Sequence, residues 1–373
     1  MVIKNLKIVL ENDIIDNGYI VFENGIIKDI QKGDYLGEAV DGKGLTLMPG
    51  FIDIHIHGSA GIDFMDAKEE DYEIIANSLY KEGVTTFLAT TLTSDNASLK
   101  RVCETVNKVK DKIPSLGGIH FEGPYINAKY KGAQNEEFIR NPDIKEFEEL
   151  LKISGNNVRY ITLAPENEGA MKFIKHIHNN GVTVSAGHSD ASFDQVKEAI
   201  SNGLTNTTHT HNAMSPHHHR KPGIVTAAFY FDELYTEFIC DKIHVCPNTL
   251  AVSYKIIGPE RFVMITDALK VKNSDINEFQ LFGLDCIRKD GAAYLTSGPL
   301  AGSLLTMDQG LRNMKEITNA NLCDLAKISS RNAAKALSFT DRGVIEVGKI
   351  ADFVLLDDDL NVKATYKLGK KVY

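Results

Sequence analysis

Two histidines separated by one residue, His55 and His57 in GFIDIHIHG, stand at the end of a β-rich run. Alternation on an extended strand sends both imidazoles to one face, where they can share a metal ion, although such a pair also suits an ordinary polar strand face. Glu122 in HFEGPY, His188 in SAGHSD, His209 and His211 in THTHNAM, Asp241 and His244 in CDKIH, and Asp267 in MITDA close comparable runs. Several imidazoles with one or two carboxylates make a nitrogen and oxygen donor set suited to zinc, iron or manganese, without sulfur. An ionised carboxylate in an apolar strand end is costly unless paired or metal-bound, which favours a site role for Glu122. Asp267 taken alone also fits a helix N-cap. It is the coincidence at successive run ends that argues for one site.

Those residues need a scaffold that gathers strand ends. The runs FIDIHI, VTTFLATT, GGIHF, VRYITLA, VTVSAG, TNTTH, TEFICD and FVMITD read as strands, and each is followed by a longer stretch of helical character. After VTVSAGHSD, Ser192 with Gln195 forms a capping box, Phe193, Val196 and Ile200 mark an apolar face, and Gly203 suits the stop. Repeated strand and helix units of this kind predict an α/β fold, a (β/α)8 TIM-type barrel over residues 51–343 with chemistry at the C-terminal ends of its strands. Residues 1–50 and 344–373 differ in texture. LKIVL, then GYIVFENGIIKDI with a hairpin signal at Asn24-Gly25, resemble the strand runs of the C-terminal segment, and together they predict a small β-sandwich domain built from both ends of the chain.

Composition narrows the partners. The 41 Lys and Arg against 50 Asp and Glu give a net charge of -9, with no basic run that could follow a phosphate backbone, so nucleic acid is not expected. Five scattered cysteines without CxxC spacing suggest neither disulfides nor a thiolate metal site, and a reducing, cytoplasmic setting fits. Cys240 and Cys246 read as buried packing residues. Neither a signal peptide nor a long apolar span is expected. In the Pro-bounded loop SPHHHRKP, His217, His218 and His219 point in different directions and read as loop residues, whereas Arg220 has the planar fork that binds phosphate or carboxylate.

GFIDIHIHG, HFEGPY with KGAQN, SAGHSDA, THTHNAMSP, ICDKIHV, MITDA and SGPLAGSLLTM resemble the N-acetylglucosamine-6-phosphate deacetylases of the amidohydrolase superfamily, almost from end to end. The resemblance implies hydrolysis of the acetamide of N-acetyl-D-glucosamine 6-phosphate to D-glucosamine 6-phosphate and acetate by metal-activated water. It makes Glu122, His188 and His209 the principal metal ligands and Asp267 the general base and then acid. Ala133, Gln134, Asn212, Ala213, Arg220, Asp241, His244, Leu300, Ala301 and Gly302 fall on substrate-binding segments. One or two divalent ions per subunit are implied, zinc or iron first and manganese or cobalt after them, the second held by His55 and His57. Some relatives carry histidine where Gln134 stands and use it to polarise the substrate carbonyl, so here a second ion is expected to take that task. A homodimer with a phosphate pocket shared across the interface is also implied. Two other readings stand beside this one: another amidohydrolase, such as a cyclic amidase or deaminase, and a non-catalytic metal-binding sensor of sugar phosphates.

Overall fold

A computed structural model describes residues 1–281 and 283–373. Eight parallel strands form one sheet: Phe51–Asp53 (β1), Val84–Thr91 (β2), Leu116–Glu122 (β3), Val158–Leu163 (β4), Thr183–Ala186 (β5), Leu204–Thr207 (β6), Tyr235–Ile239 (β7) and Phe262–Ile265 (β8). Each pairs with its neighbour in sequence. The seam between β1 and β8 closes just past their ends, where the Asp267 amide donates to the His55 carbonyl at 2.8 Å and the His57 amide to the Ala268 carbonyl at 2.9 Å. Barrel closure and the first histidine pair therefore use the same residues. The eight strands are those the sequence predicts, including the short runs GGIHF and TNTTH.

Helices cover the outside of the sheet, and their caps follow local chemistry. Asp95 accepts from the Ser98 amide to start Asn96–Val109, and the Ser192 and Gln195 capping box starts Phe193–Ser201 as the sequence predicts. Every residue of β2 is buried, as expected for a parallel strand covered on both faces. The barrel interior is not uniformly apolar. Below the mouth, His120 on β3 sits between the hydroxyls of Thr90 at 3.3 Å and Thr162 at 2.8 Å, and Thr162 meets Thr208, 2.8 Å away. Burial, with His55 beside it, holds the His120 imidazole well below its usual range and so neutral.

A second sheet draws strands from both ends of the chain: Val2–Val9, Ile14–Glu23, Ile26–Lys32, Val40–Asp41, Thr46–Pro49, Phe353–Leu356, Val362–Lys367 and Lys370–Lys371. Asn24 and Gly25 both adopt left-handed conformations in the hairpin between the second and third of these, the geometry that favours Asn-Gly. The rings of Phe22 and Phe353 lie 5.4 Å apart although their strands are three steps apart in the sheet order. A flat sheet would separate them by ~14 Å, so this one curls over its own apolar cluster.

One element has no counterpart in the sequence reading. Residues 278–303 form an antiparallel sheet of Glu278–Leu281, Leu284–Lys289, Ala292–Leu295 and Leu300–Ser303, inserted between β8 and the helix Met307–Thr318. Its strands are short and the first two are half exposed, so their apolar periodicity is weak; the turn signal Asp290-Gly291, with both residues left-handed, is their clearest mark. Among the described residues, no helix is long and apolar enough to cross a membrane.

The loop after β8 is pinned by a buried ion pair. Lys272 Nζ lies 3.0 Å from Glu82 Oε1, and Glu82 Oε2 also accepts from the Met307 amide at 2.9 Å. Burial pushes the Glu82 carboxyl up and Lys272 opposes that push. Removing one partner strands the other charge, so Lys272→Met is expected to lower stability by about 3–5 kcal/mol in urea unfolding.

Candidate metal centre

Three of the donor residues at the barrel mouth have backbones that L-amino acids rarely adopt. His188 follows β5 with φ of 48°, His209 follows β6 with φ of 31°, and Asp267 follows β8 with φ of 49°. Non-glycine residues in this region cost of order 1–3 kcal/mol each and persist where the surroundings over-determine them. Here the left-handed turn re-aims each side chain as its strand ends, and hydrogen bonds hold the result: the Asp267 carbonyl accepts from Ser303 at 2.9 Å, and the His188 carbonyl from Asn127 at 2.9 Å.

The outcome is two trios of donor atoms, each set lying within 4.8 Å of one another: Glu122, His188 and His209, and His55, His57 and Asp267. In the first, His188 Nε2 and His209 Nε2 are 3.0 Å apart, and each is 3.1 Å from Glu122 Oε1. His188 Nδ1 donates to the Tyr130 carbonyl at 2.8 Å, which leaves Nε2 as a lone-pair donor facing the others. In the second, His57 Nε2 and His55 Nε2 lie 3.2 and 3.4 Å from Asp267 Oδ1. Glu122 joins the trios, its Oε1 3.3 Å from His55 Nε2 and its Oε2 3.4 Å from His57 Nε2.

This donor set fits divalent ions. Ligand atoms around a tetrahedral zinc, each about 2.0–2.1 Å from it, lie ~3.3 Å from one another, close to the spacings in both trios. Buried His55 Nε2 also has no hydrogen-bond partner although it faces two carboxylates. The electrostatics agree. Burial opposes a charge on His57, yet hydrogen bonds to the Asp267 and Glu122 carboxylates carry its imidazole up to about 9, and His55 is likewise raised well above its usual range. Burial opposes ionisation of Glu122 and Asp267 too, but the imidazoles hold both carboxyls below their ordinary values. Two buried carboxylates thus demand positive charge, which protons or metal ions can supply.

A cavity of about 200 Å³ opens over the centre. Glu122, His57, His188, His209 and Asp267 form its floor, and Ala133, Gln134, Asn212 and Ala213 line one side. His244 and Leu281 line it as well, together with Leu300, Ala301 and Gly302 from the inserted sheet. Asp241 stands behind His244, accepting its Nδ1–H at 2.6 Å, and this bond raises the imidazole against the effect of burial. His55 lies beneath the floor, fully buried.

Other candidates fall elsewhere. Arg220 is exposed in the loop of residues 216–222, outside the cavity lining, with Nη1 2.7 Å from His219 Nε2. His211, placed at the mouth by its sequence position, turns away: φ of 84° sends its ring against Phe229 and Phe238, and its Nε2 meets the Ser253 hydroxyl at 2.9 Å. Cys240 is buried, but Cys246 is exposed, because it caps the helix Pro247–Ile257 at the surface. Gln134 bridges two partners: its amide nitrogen donates to Glu122 Oε2 at 2.5 Å and its oxygen accepts from the Thr93 amide at 2.7 Å.

Two carboxylates beneath the centre escaped the sequence reading. Asp53 in β1 accepts from the Thr266 hydroxyl at 2.6 Å and from the His55 amide at 3.3 Å, tying the seam together. Glu237 in β7 accepts from the Tyr160 hydroxyl and lies 3.3 Å from His55 Nδ1. The signal that singled out Glu122, a charged residue in an apolar strand, was present for both in FIDI and TEFI.

Residues 46–372 match the model described as the amidohydrolase family. The chain is 40% identical over 338 residues to an N-acetylglucosamine-6-phosphate deacetylase of Lysinibacillus sphaericus, covering 89% of this chain and 87% of that one. The crystal structure of N-acetylglucosamine-6-phosphate deacetylase from Thermotoga maritima is 34% identical with a TM-score of 0.93, covering 100% of this chain and 99% of that one. A mutant of the Mycobacterium smegmatis enzyme in complex with N-acetyl-D-glucosamine-6-phosphate is 28% identical with a TM-score of 0.96, over 100% of this chain and 99% of that one.

Because Gln134 orients the carboxylate between the two trios, Gln134→Ala is expected to weaken metal binding about 10- to 100-fold. Chelator competition on the purified protein measures this.

Proposed function

Since the chain belongs to the amidohydrolase family, with residues 46–372 matched, we propose that it hydrolyses the acetamide of N-acetyl-D-glucosamine 6-phosphate to D-glucosamine 6-phosphate and acetate. The observation that carries this reading is the placement of Asp267: its carboxylate lines the cavity and also stands within 3.4 Å of both first-strand imidazoles. Divalent ions held by the two trios would supply Lewis acidity, acidifying water and polarising the amide carbonyl.

The chain's own residues do the rest. Asp267 is held below its ordinary value, so it is ionised at neutral pH and able to take a proton from the attacking water. The same group then returns that proton to the nitrogen, since an amine leaves poorly unless protonated. Gln134 spends one amide N–H on Glu122 and its oxygen on the Thr93 amide, and as an uncharged donor it is a weak polariser of the substrate carbonyl. His55, His57 and Asp267 would hold a second ion that supplies this polarisation, so the proposed centre would take two ions, zinc or iron in character. His244, whose Nδ1–H is held by Asp241 and whose affinity for a proton that bond raises against burial, is placed to meet the sugar phosphate inside the cavity. Ala133, Asn212, Ala213 and residues 300–302 shape the walls around it. Arg220 lies outside its own chain's cavity, so in this proposal the protein is a homodimer in which Arg220 meets the phosphate held by the neighbouring subunit. Residues 1–50 with 344–373 are proposed to fold as a unit apart from the barrel, and the cytoplasm is the proposed setting.

Acetate release from N-acetylglucosamine 6-phosphate, compared with turnover of dihydroorotate and hydantoin by the same metal-loaded protein, tests the reading. Asp267→Asn should keep substrate binding while turnover falls about 10²- to 10⁴-fold; near-normal rates would remove Asp267 from proton transfer. Arg220→Ala should raise KM for the phosphorylated sugar far more than for free N-acetylglucosamine, and equal effects on both would exclude the phosphate contact.

A further inference from the structure

Glu237 is a carboxylate that neither trio includes. It lies inside the barrel on β7, fully buried and outside the cavity lining, and three donors converge on it: the Tyr160 hydroxyl on Oε1, and His55 Nδ1 and the His209 amide, each 3.3 Å from Oε2. We infer that Glu237 is a positioning residue, fixing His55 as a ligand of the ion at His55, His57 and Asp267. The inference rests on the reading that the two trios hold divalent ions.

The argument turns on which ring nitrogen keeps its proton. A neutral imidazole carries one, and a carboxylate acceptor at Nδ1 keeps it there, so Nε2 presents its lone pair. His55 Nε2 faces Glu122 and Asp267 oxygens at 3.3 and 3.4 Å and has no hydrogen-bond partner. Without an acceptor at Nδ1, the proton would shift to Nε2 and bond to one of those carboxylates, giving a tautomer that cannot ligate. The ring cannot simply swing away, because His120 stands edge-on to it with centroids 4.6 Å apart and packs in turn against Tyr160 at 4.6 Å.

Each trio has one histidine anchored in this way. His188 donates through Nδ1 to the Tyr130 carbonyl, and His55 faces Glu237, whereas Nδ1 of His57 and Nδ1 of His209 have no hydrogen-bond partner. The Tyr160 hydroxyl holds the other Glu237 oxygen, so Glu237 itself is fixed from the far side of the barrel.

Stepwise zinc affinities of the full chain, measured by chelator competition, test the role. Glu237→Leu removes the acceptor and should weaken one zinc about 10- to 100-fold while leaving the other within about threefold. The zinc affected should be the one lost in His55→Ala, and adding Glu237→Leu to His55→Ala should change the remaining zinc no further. Glu237→Gln keeps one acceptor oxygen and should fall between Glu237→Leu and the native chain. If Glu237→Leu does not fold, Glu237→Gln and Tyr160→Phe must still weaken the same zinc. Equal weakening of both zincs, two unaffected zincs, or a native chain whose single zinc survives His55→Ala would each overturn the role. A native chain that takes up no zinc would remove the underlying reading as well, so the two failures are told apart.

Discussion

Glu122 is a buried carboxylate only 2% exposed, and the site is organised around it. One oxygen meets nitrogens of His55, His188 and His209, and the other meets His57 and the Gln134 amide. An anion so placed is tolerable only while positive charge or donors surround it on every side. The five groups come from four places in the chain, so meeting that condition requires a fold that joins strand ends from a closed ring. The barrel supplies that ring, and its seam is tied by the backbones of His55, His57 and Asp267 themselves.

Beneath the site the barrel gives up part of the apolar filling that such interiors usually have. Thr90, His120, Thr162 and Thr208 form a hydrogen-bonded layer, and Asp53 and Glu237 add carboxylates with their own donors. Satisfied polar networks in a low-dielectric interior are rigid, because breaking any member leaves a buried group unpaired. That rigidity is what permits the left-handed conformations of His188, His209 and Asp267 at the mouth. The lower layer and the strained rim are two parts of one device for aiming side chains.

Above the site, the inserted sheet of residues 278–303 closes the cavity wall with Leu281 and residues 300–302. Gly302 is required there for space: a β-carbon on it would lie 2.8 Å from Leu269 and 3.1 Å from the Asp267 carbonyl, at φ of 157°. The wall thus presses directly on the backbone of the proposed acid and base.

The sequence by itself determined the rhythm of strand and helix and the residue types that close each strand, because apolar runs, caps and turn residues act over a few neighbours. Eight strands, the Asn24-Gly25 hairpin and the Ser192 capping box were legible for that reason. Weakly patterned, half-exposed strands such as Leu284–Lys289 were not. Only the tertiary structure decided where each side chain points once its strand has ended. Backbone turns at His209 and His211 send one ring to Glu122 and the other to Ser253. Gln134 in its loop is claimed by Glu122 at the end of β3, and Glu237 reaches His55 across the barrel, 182 residues away in sequence. Such pairings depend on distances between segments that no local pattern encodes, and they exist only after the ring has closed.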